Sequence, residues 1–278
     1  MHFRTYVPEE DKGRAGQWQS VYHDAMLNHD DNVGTVLAKL EELGLDDNTI
    51  VFYSTDNGPH MNTWPDGGMT PFRAEKNTNW EGAYRVPAMI RWPGHIEAGS
   101  VSNEIISHLD WLPTLMSAAG EAGIAEKLKA GHRAAGKNFR VHLDGYDFLP
   151  YLTGETEQSP RREFFYFSDD GVLLGSRVGD WKAVYAEQRA HRFDVWRDPF
   201  VPLRAPKVFH LRRDPFERAD TDSNSYNVWW DHKVMPAIGV SRGAVKKFVA
   251  SLQAFPPRQR PASFNVDQVL EALYKPAE

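Results

Sequence analysis

Asp56 and Asn57 stand side by side directly after the apolar run Thr49-Ile50-Val51-Phe52-Tyr53-Ser54-Thr55. A carboxylate beside a carboxamide offers two hard oxygen ligands, a donor pair suited to Ca2+ or Mg2+ rather than Zn2+. The same residues, followed by Gly58 and Pro59, also make an ordinary strand-ending turn. Downstream, Lys76 sits within Phe72-Arg73-Ala74-Glu75-Lys76-Asn77-Thr78-Asn79-Trp80-Glu81-Gly82. A lone lysine is commonly just a solvated charge. Held among aromatic residues and glycine, its ammonium can instead be a point charge for sulfate or phosphate. His2 adds a further donor, at a chain end where order is least expected. His60 could pair with Asp56 on a metal, although a histidine on the loop surface is the plainer expectation.

Composition narrows the chemistry. The chain has 278 residues, no cysteine, and 32 Lys and Arg against 38 Asp and Glu, for a net charge of −6. That mild acidity argues against nucleic-acid backbone binding. No run of ~20 apolar residues predicts a membrane span, and the opening MHFRTYVPEE lacks the apolar stretch of a signal peptide. Without cysteine these residues hold no disulfide, no thiolate metal site and no cysteine-derived nucleophile.

The elements around these residues read as an α/β arrangement. Val33, Val36, Leu37, Leu40 and Leu43 recur at helical spacing within a helix expected over 17–43, with Gly44 as its stop. The apolar run that follows predicts a parallel strand buried between helices, with chemistry at its carboxyl end. Residues 60–84 form a long irregular loop, whose Trp64, Phe72 and Trp80 favour an ordered, functional one. Val86–Gly94 predicts a second strand, and Ser107–Ala119 a helix with Pro113 near its start and Gly120 as its stop. A composition shift places a boundary near 155. Beyond it, Phe164–Phe167, Val172–Arg177, Trp181–Tyr185 and Val208–Leu211 predict a small antiparallel sheet. A helix over about 241–253 and a short terminal helix after 261 complete the chain.

The segment from Thr49 to Gly94 resembles the C-terminal half of an arylsulfatase. The motifs that carry the likeness are Asp56-Asn57-Gly58, Trp64-Pro65-Asp66-Gly67-Gly68, Thr70-Pro71-Phe72-Arg73, Glu75-Lys76-Asn77, Trp80-Glu81-Gly82, Arg85-Val86-Pro87-Ala88 and Arg91-Trp92-Pro93-Gly94. Met1–Thr5 and His29–Gly34 resemble the preceding family segment. The likeness continues more weakly through Asp144–Asp147 and Asp214–Glu217. It implies an incomplete sulfatase-type (alkaline-phosphatase-like) domain over 1–155, a mostly parallel sheet with helices, and a small C-terminal α+β subdomain over 156–278. It also implies that Asp56 and Asn57 ligate one calcium ion, that Lys76 contacts the substrate sulfate, and that His2 stands near the ester oxygen. Glu81, Gly82 and Arg85 would hold the loop.

Three departures shape the functional expectation. Ala74 and Ala83 stand where the family usually has glycine, so a left-handed backbone at either would be strained. The Cys- or Ser-x-Pro-x-Arg signature, whose first residue becomes the formylglycine nucleophile, occurs nowhere in the chain; Ser159-Pro160-Arg161 has the wrong spacing. The family's first pair of calcium aspartates is absent as well. The resemblance therefore implies a sulfuric ester hydrolase present as a C-terminal fragment, inactive alone, with half a calcium site. Its partners would be a sulfate ester or sulfated glycan and the missing N-terminal half. The alternatives are a non-catalytic relative that binds an anion or a partner, and a phosphodiesterase or phosphatase of the same superfold. Asn57 disfavours that last reading, since those enzymes place histidine there and use two transition metals.

Overall fold

A computed structural model describes residues 7–16, 19–226 and 235–257 of the chain. The first long element is helix α1 (Val21–Glu42). Gly44 ends it at φ 63°, with Leu45 N–H donating to Leu40 O (2.9 Å) and Gly44 N–H to Glu41 O (2.9 Å), a closed C-terminal turn that glycine makes strain-free. Of the five residues expected on its buried face, Val33, Leu37 and Leu40 are half-buried. Val36 and Leu43 are 59% and 55% exposed. At 3.6 residues per turn these two lie roughly 60–80° around the helix from the other three, so the covered stripe is narrower than expected.

Strand β1 (Val51–Ser54) follows, then the 55–87 segment with the single-turn helix α2 (Glu81–Tyr84), then strand β2 (Ala88–Arg91). The strands pair antiparallel, Val51 opposite Arg91 and Ser54 opposite Ala88. The mostly parallel sheet expected here is thereby corrected: every strand pair among the described residues is antiparallel, and each β1 residue is half-exposed rather than buried. A four-residue apolar run signals burial but not its neighbour's direction, and here the long loop returns the chain alongside β1. Helices do flank it. Tyr53 OH lies 3.1 Å from His29 Nε2 of α1, and Phe52 packs at 3.9 Å between ring centroids on Trp111, which opens helix α3 (Trp111–Ala118).

A capping box at Ser107 and Asp110 starts the turn before α3, and Gly120 (φ 89°) follows its end. Helix α4 (Ile124–Ala130), a hairpin of β3 (His132–Ala134) and β4 (Lys137–Phe139), and the short α5 (Leu149–Leu152) lead to the C-terminal part. There β5 (Glu163–Phe167), β6 (Leu173–Val178), β7 (Trp181–Glu187) and β8 (Val201–His210) form the expected small antiparallel sheet, in that order, with β8 starting at Val201 rather than at the expected Val208. A short α6 (Ala219–Asp222) precedes α7 (Met235–Ala254), longer than the helix expected over 241–253. The short helix expected after 261 lies outside the described residues. Helix α7 stacks Phe248 on Phe165 (4.4 Å) and sets Ser241 Oγ 2.6 Å from Ser176 Oγ.

The tightest core belongs to this sheet, where Val184 and Phe209 are fully buried beside Leu211. Trp80, from the long loop, completes that cluster. Close contacts therefore cross the boundary expected near 155. A second crossing is the buried ion pair of Asp110 and Arg161, with Arg161 Nε and Nη2 donating to the two carboxylate oxygens at 2.8 and 2.6 Å. Among the described residues no helix is long and apolar enough to cross a membrane.

Candidate functional site

At the end of β1 the chain turns through Asp56-Asn57-Gly58 and lies directly on the Lys76 loop. Gly58 N–H donates to Ala83 O (2.8 Å), and Lys76 N–H donates to Pro59 O (2.9 Å). The approach is close enough that a Cβ on Gly58 would stand 1.8 Å from Gly82 O, so only glycine fits. Gly82 is constrained in the same way, because its Cβ would stand 2.4 Å from Arg73 O. The buried Glu75 adds a further staple: Oε2 accepts from Met61 N–H at 2.6 Å and Oε1 from Arg192 N–H at 2.7 Å. These bonds keep the strand-end turn and the lysine loop in one fixed relation.

The loop is equally fastened to the C-terminal sheet. Asn77 Nδ2 donates to Val195 O (2.6 Å), Asn79 Nδ2 to Ala186 O (2.7 Å), and Trp80 Nε1 to Gln188 O (3.2 Å). The Arg73 guanidinium lies 3.6 Å over the Trp80 ring and bonds Asp220 Oδ1 (2.8 Å). Beneath the loop, Lys182 of β7 is fully buried. Its ammonium donates to Asn79 O (2.8 Å) and pairs with Glu81 Oε1 (3.1 Å) and Glu217 Oε1 (2.8 Å). Burial alone would raise the Glu81 pKa, but the Lys182 charge and bonds from Arg85 and Tyr166 outweigh it and hold the carboxyl down to about 2. Glu217 shares the same lysine and faces the Glu81 charge. Its carboxyl is pushed up, chiefly by burial.

Asp56, Asn57 and Lys76 all line one cavity of about 980 Å³, between the β1–β2 end and the C-terminal sheet. Asp56 is exposed, and one of its oxygens accepts from Thr55 Oγ1 (3.3 Å). Asn57 donates its amide to Gly58 O (2.9 Å), which leaves its carbonyl oxygen for a cation. Two hard oxygens fit a Ca2+ shell as a part of it, because such an ion takes about 6–8 oxygens. Among the described residues no group of three or more His, Asp or Glu side chains forms a metal centre of its own. No Cys- or Ser-x-Pro-x-Arg signature occurs in this chain to carry a formylglycine group. His2 lies outside the described residues.

Other expectations resolve in detail. Ala74 does adopt the strained left-handed backbone (φ 60°), whereas Ala83 sits in α2 without a positive φ. His60 is buried rather than on the loop surface, and its Nε2 lies 3.7 Å from Glu75 Oε2. Arg85 Nε donates to Glu81 Oε2 (2.8 Å). Sequence reasoning missed Lys182, Glu217 and Trp196. A lysine inside an apolar strand was the available signal for the first. Nothing local marks the other two.

The chain is also similar to known proteins. Residues 2–121 match the family described as Sulfatase. Arylsulfatase A of Bos taurus is 33% identical over 228 residues, covering 78% of this chain and 41% of the relative. N-acetylgalactosamine-6-sulfatase of Canis lupus familiaris is 32% identical over 234 residues, covering 77% and 40%. Among solved structures, PsFucS1 sulfatase from Pseudoalteromonas sp. superposes with a TM-score of 0.73 at 25% identity, over 94% of this chain and 48% of that one. The chain thus spans about two fifths of the length of the curated relatives it matches. Residues 2–121 thus carry a sulfatase-family segment, and the likeness to sulfatases extends over 78% of the chain.

Proposed function

We propose that this chain supplies the cation- and sulfate-binding part of a sulfuric ester hydrolase, and that it hydrolyses nothing by itself. The observation that carries the reading is the convergence of Asp56, Asn57 and Lys76 on one cavity, fixed by the bonds of Gly58, Pro59 and Glu75. In this reading the Lys76 ammonium draws a sulfate oxygen through a charge-assisted bond. Asp56 and Asn57 hold the calcium ion, which when bound supplies positive charge beside the sulfate oxygens. The family resemblance assigns His2 a role near the ester oxygen. The nucleophile comes from residues outside this chain. The relatives named above act on aryl sulfates or a sulfated amino sugar by their names, so a sulfate ester of an aryl alcohol or a glycan is the proposed substrate.

Exposed apolar residues support coverage by a further polypeptide, the N-terminal half of such a domain. Val36 of α1, Leu43 just past its end, Met89 of β2, and Leu112 and Leu115 of α3 are 46–59% exposed. A second reading is a non-catalytic anion-binding relative, consistent with the lack of a Cys- or Ser-x-Pro-x-Arg signature in these residues. The test measures inorganic sulfate binding and 4-nitrophenyl sulfate turnover with and without Ca2+. The expected result is weak sulfate binding, reduced at least about tenfold by Lys76→Ala, with no turnover. Turnover abolished by Lys76→Ala would falsify the inactivity. Sulfate binding indifferent to Lys76→Ala would remove the site. Restored hydrolysis on adding the complementary half separates the hydrolase reading from the anion-binding one.

A further inference from the structure

Trp196 is 42% exposed, yet it stands on a well-anchored segment of the cavity wall. It ends the 3-10 segment Arg192–Trp196. The preceding Val195 is buried at 2% exposure and its carbonyl accepts from Asn77 Nδ2 (2.6 Å), while Arg192 N–H donates to Glu75 Oε1 (2.7 Å). Gln188, itself buried, closes the base of the segment through Nε2 to Asp198 O (2.8 Å). The two bonds that anchor the segment to the loop thus end on Glu75 and Asn77, the neighbours of Lys76 on either side. The indole lies with its centroid 5.8 Å from Lys76 Nζ and 6.4 Å from the His60 ring. A lysine cation and a large aromatic face are therefore held in one unit, open to one cavity.

We propose that Trp196 is the floor of a ring subsite beside the sulfate anchor, taking the sugar or aryl ring of a sulfate ester. The proposal rests on Lys76 holding the sulfate, as read above. Only the bridging ester oxygen separates the sulfur of a bound ester from the first carbon of its organic part. A ring attached there comes within reach of an indole whose centroid is 5.8 Å from the anchoring ammonium. The π face receives an aryl ring by offset stacking and the apolar C–H face of a sugar by dispersion. A short acyclic sulfate lacks the area to use it. The pair thereby selects ring-bearing esters over acyclic ones and over free sulfate.

The experiment compares inorganic sulfate, methyl sulfate and 4-nitrophenyl sulfate by calorimetry on the whole chain and on Lys76→Ala, Trp196→Ala and Trp196→Phe. Trp196→Ala is expected to weaken 4-nitrophenyl sulfate about three- to tenfold, the scale of one aromatic pair. It should leave inorganic sulfate and methyl sulfate within about twofold of the native chain. Trp196→Phe, which keeps a flat ring on the same mount, is expected to restore most of the loss. Lys76→Ala should weaken all three probes together. Equal weakening of all three by Trp196→Ala overturns the subsite and makes Trp196 a support for the lysine. No weakening of any probe overturns it outright. A native chain that binds none of the three overturns the sulfate site itself, and the subsite with it.

Discussion

Replacing Lys182 by methionine tests how the lysine loop is held on the sheet. The native ammonium is fully buried, bonds Asn79 O, and pairs with both Glu81 and Glu217. The Glu81 backbone is also tied to the second acid, since Glu81 N–H donates to Glu217 Oε2 (2.7 Å). Methionine fills similar volume but leaves two buried carboxylates sharing no cation. Breaking a buried pair from one side costs about 3–5 kcal/mol. The sign of the pH dependence follows from the carboxyl groups. In the native chain Glu81 is held to about 2, below its ordinary 4.5, so its contribution is present above pH 4.5 and lost as pH falls toward 2. Glu217, pushed up, works in the opposite sense. Without the ammonium, Glu217 loses the charge that opposes its burial, while Glu81 keeps only Arg85 and Tyr166 against its own, so the variant is penalised progressively as pH climbs through the carboxylate range. Urea unfolding at pH 5 and pH 8 should show a deficit of about 3–5 kcal/mol at pH 8 and a smaller one at pH 5. Adding Glu217→Gln, which removes one buried charge and keeps an acceptor for Glu81 N–H, should recover part of it. A deficit below about 1 kcal/mol, the scale of an exposed pair, or one equal at both pH values, refutes the reasoning.

Two backbone substitutions complete the expectations. Ala74→Gly relieves a left-handed alanine (φ 60°), and the relief of about 1–2 kcal/mol exceeds the extra unfolded-state freedom of glycine; thermal unfolding should show a gain of about 0.5–1 kcal/mol. Gly58→Ala drives a Cβ to within 1.8 Å of Gly82 O, so the turn must part from the lysine loop. We expect a loss of about 3 kcal/mol or more in stability, with sulfate binding lost alongside it in a calorimetric titration. Unchanged binding in Gly58→Ala would mean that the turn and the loop are positioned independently.

Local signals in the sequence were legible wherever one element carried them. The Gly44 stop of α1, the Ser107 start before α3 and the C-terminal meander all rest on short-range turn chemistry and periodicity. The strand-end position of Asp56 and Asn57 is of this kind. The direction of β2 was not legible, because four apolar residues carry no record of their neighbour's orientation. Burial of His60 depends on Glu75, which reaches it only when the loop folds back. The clamp of Glu81, Lys182 and Glu217 joins residues 101 and 136 positions apart, so a lysine inside an apolar strand was visible in the sequence but its two acids were not. Trp196 was hidden for the same reason: an exposed indole and a solvent-facing loop read alike until the neighbours of Lys76 are seen holding it.

That 136-residue span between Glu81 and Glu217 also sets a timetable. Domains emerge from the ribosome at roughly 5–20 residues per second, so on the order of 10 s separates synthesis of the lysine loop from synthesis of the acid that completes its mount. During that interval Trp80 lacks Phe209 and Leu211, the partners that later enclose it. The loop carrying Lys76 is thus made well before the residues that complete its mount. A nascent chain paused before residue 217 would present its future anion site as unfolded, aromatic-rich polypeptide, the sort of segment chaperones capture.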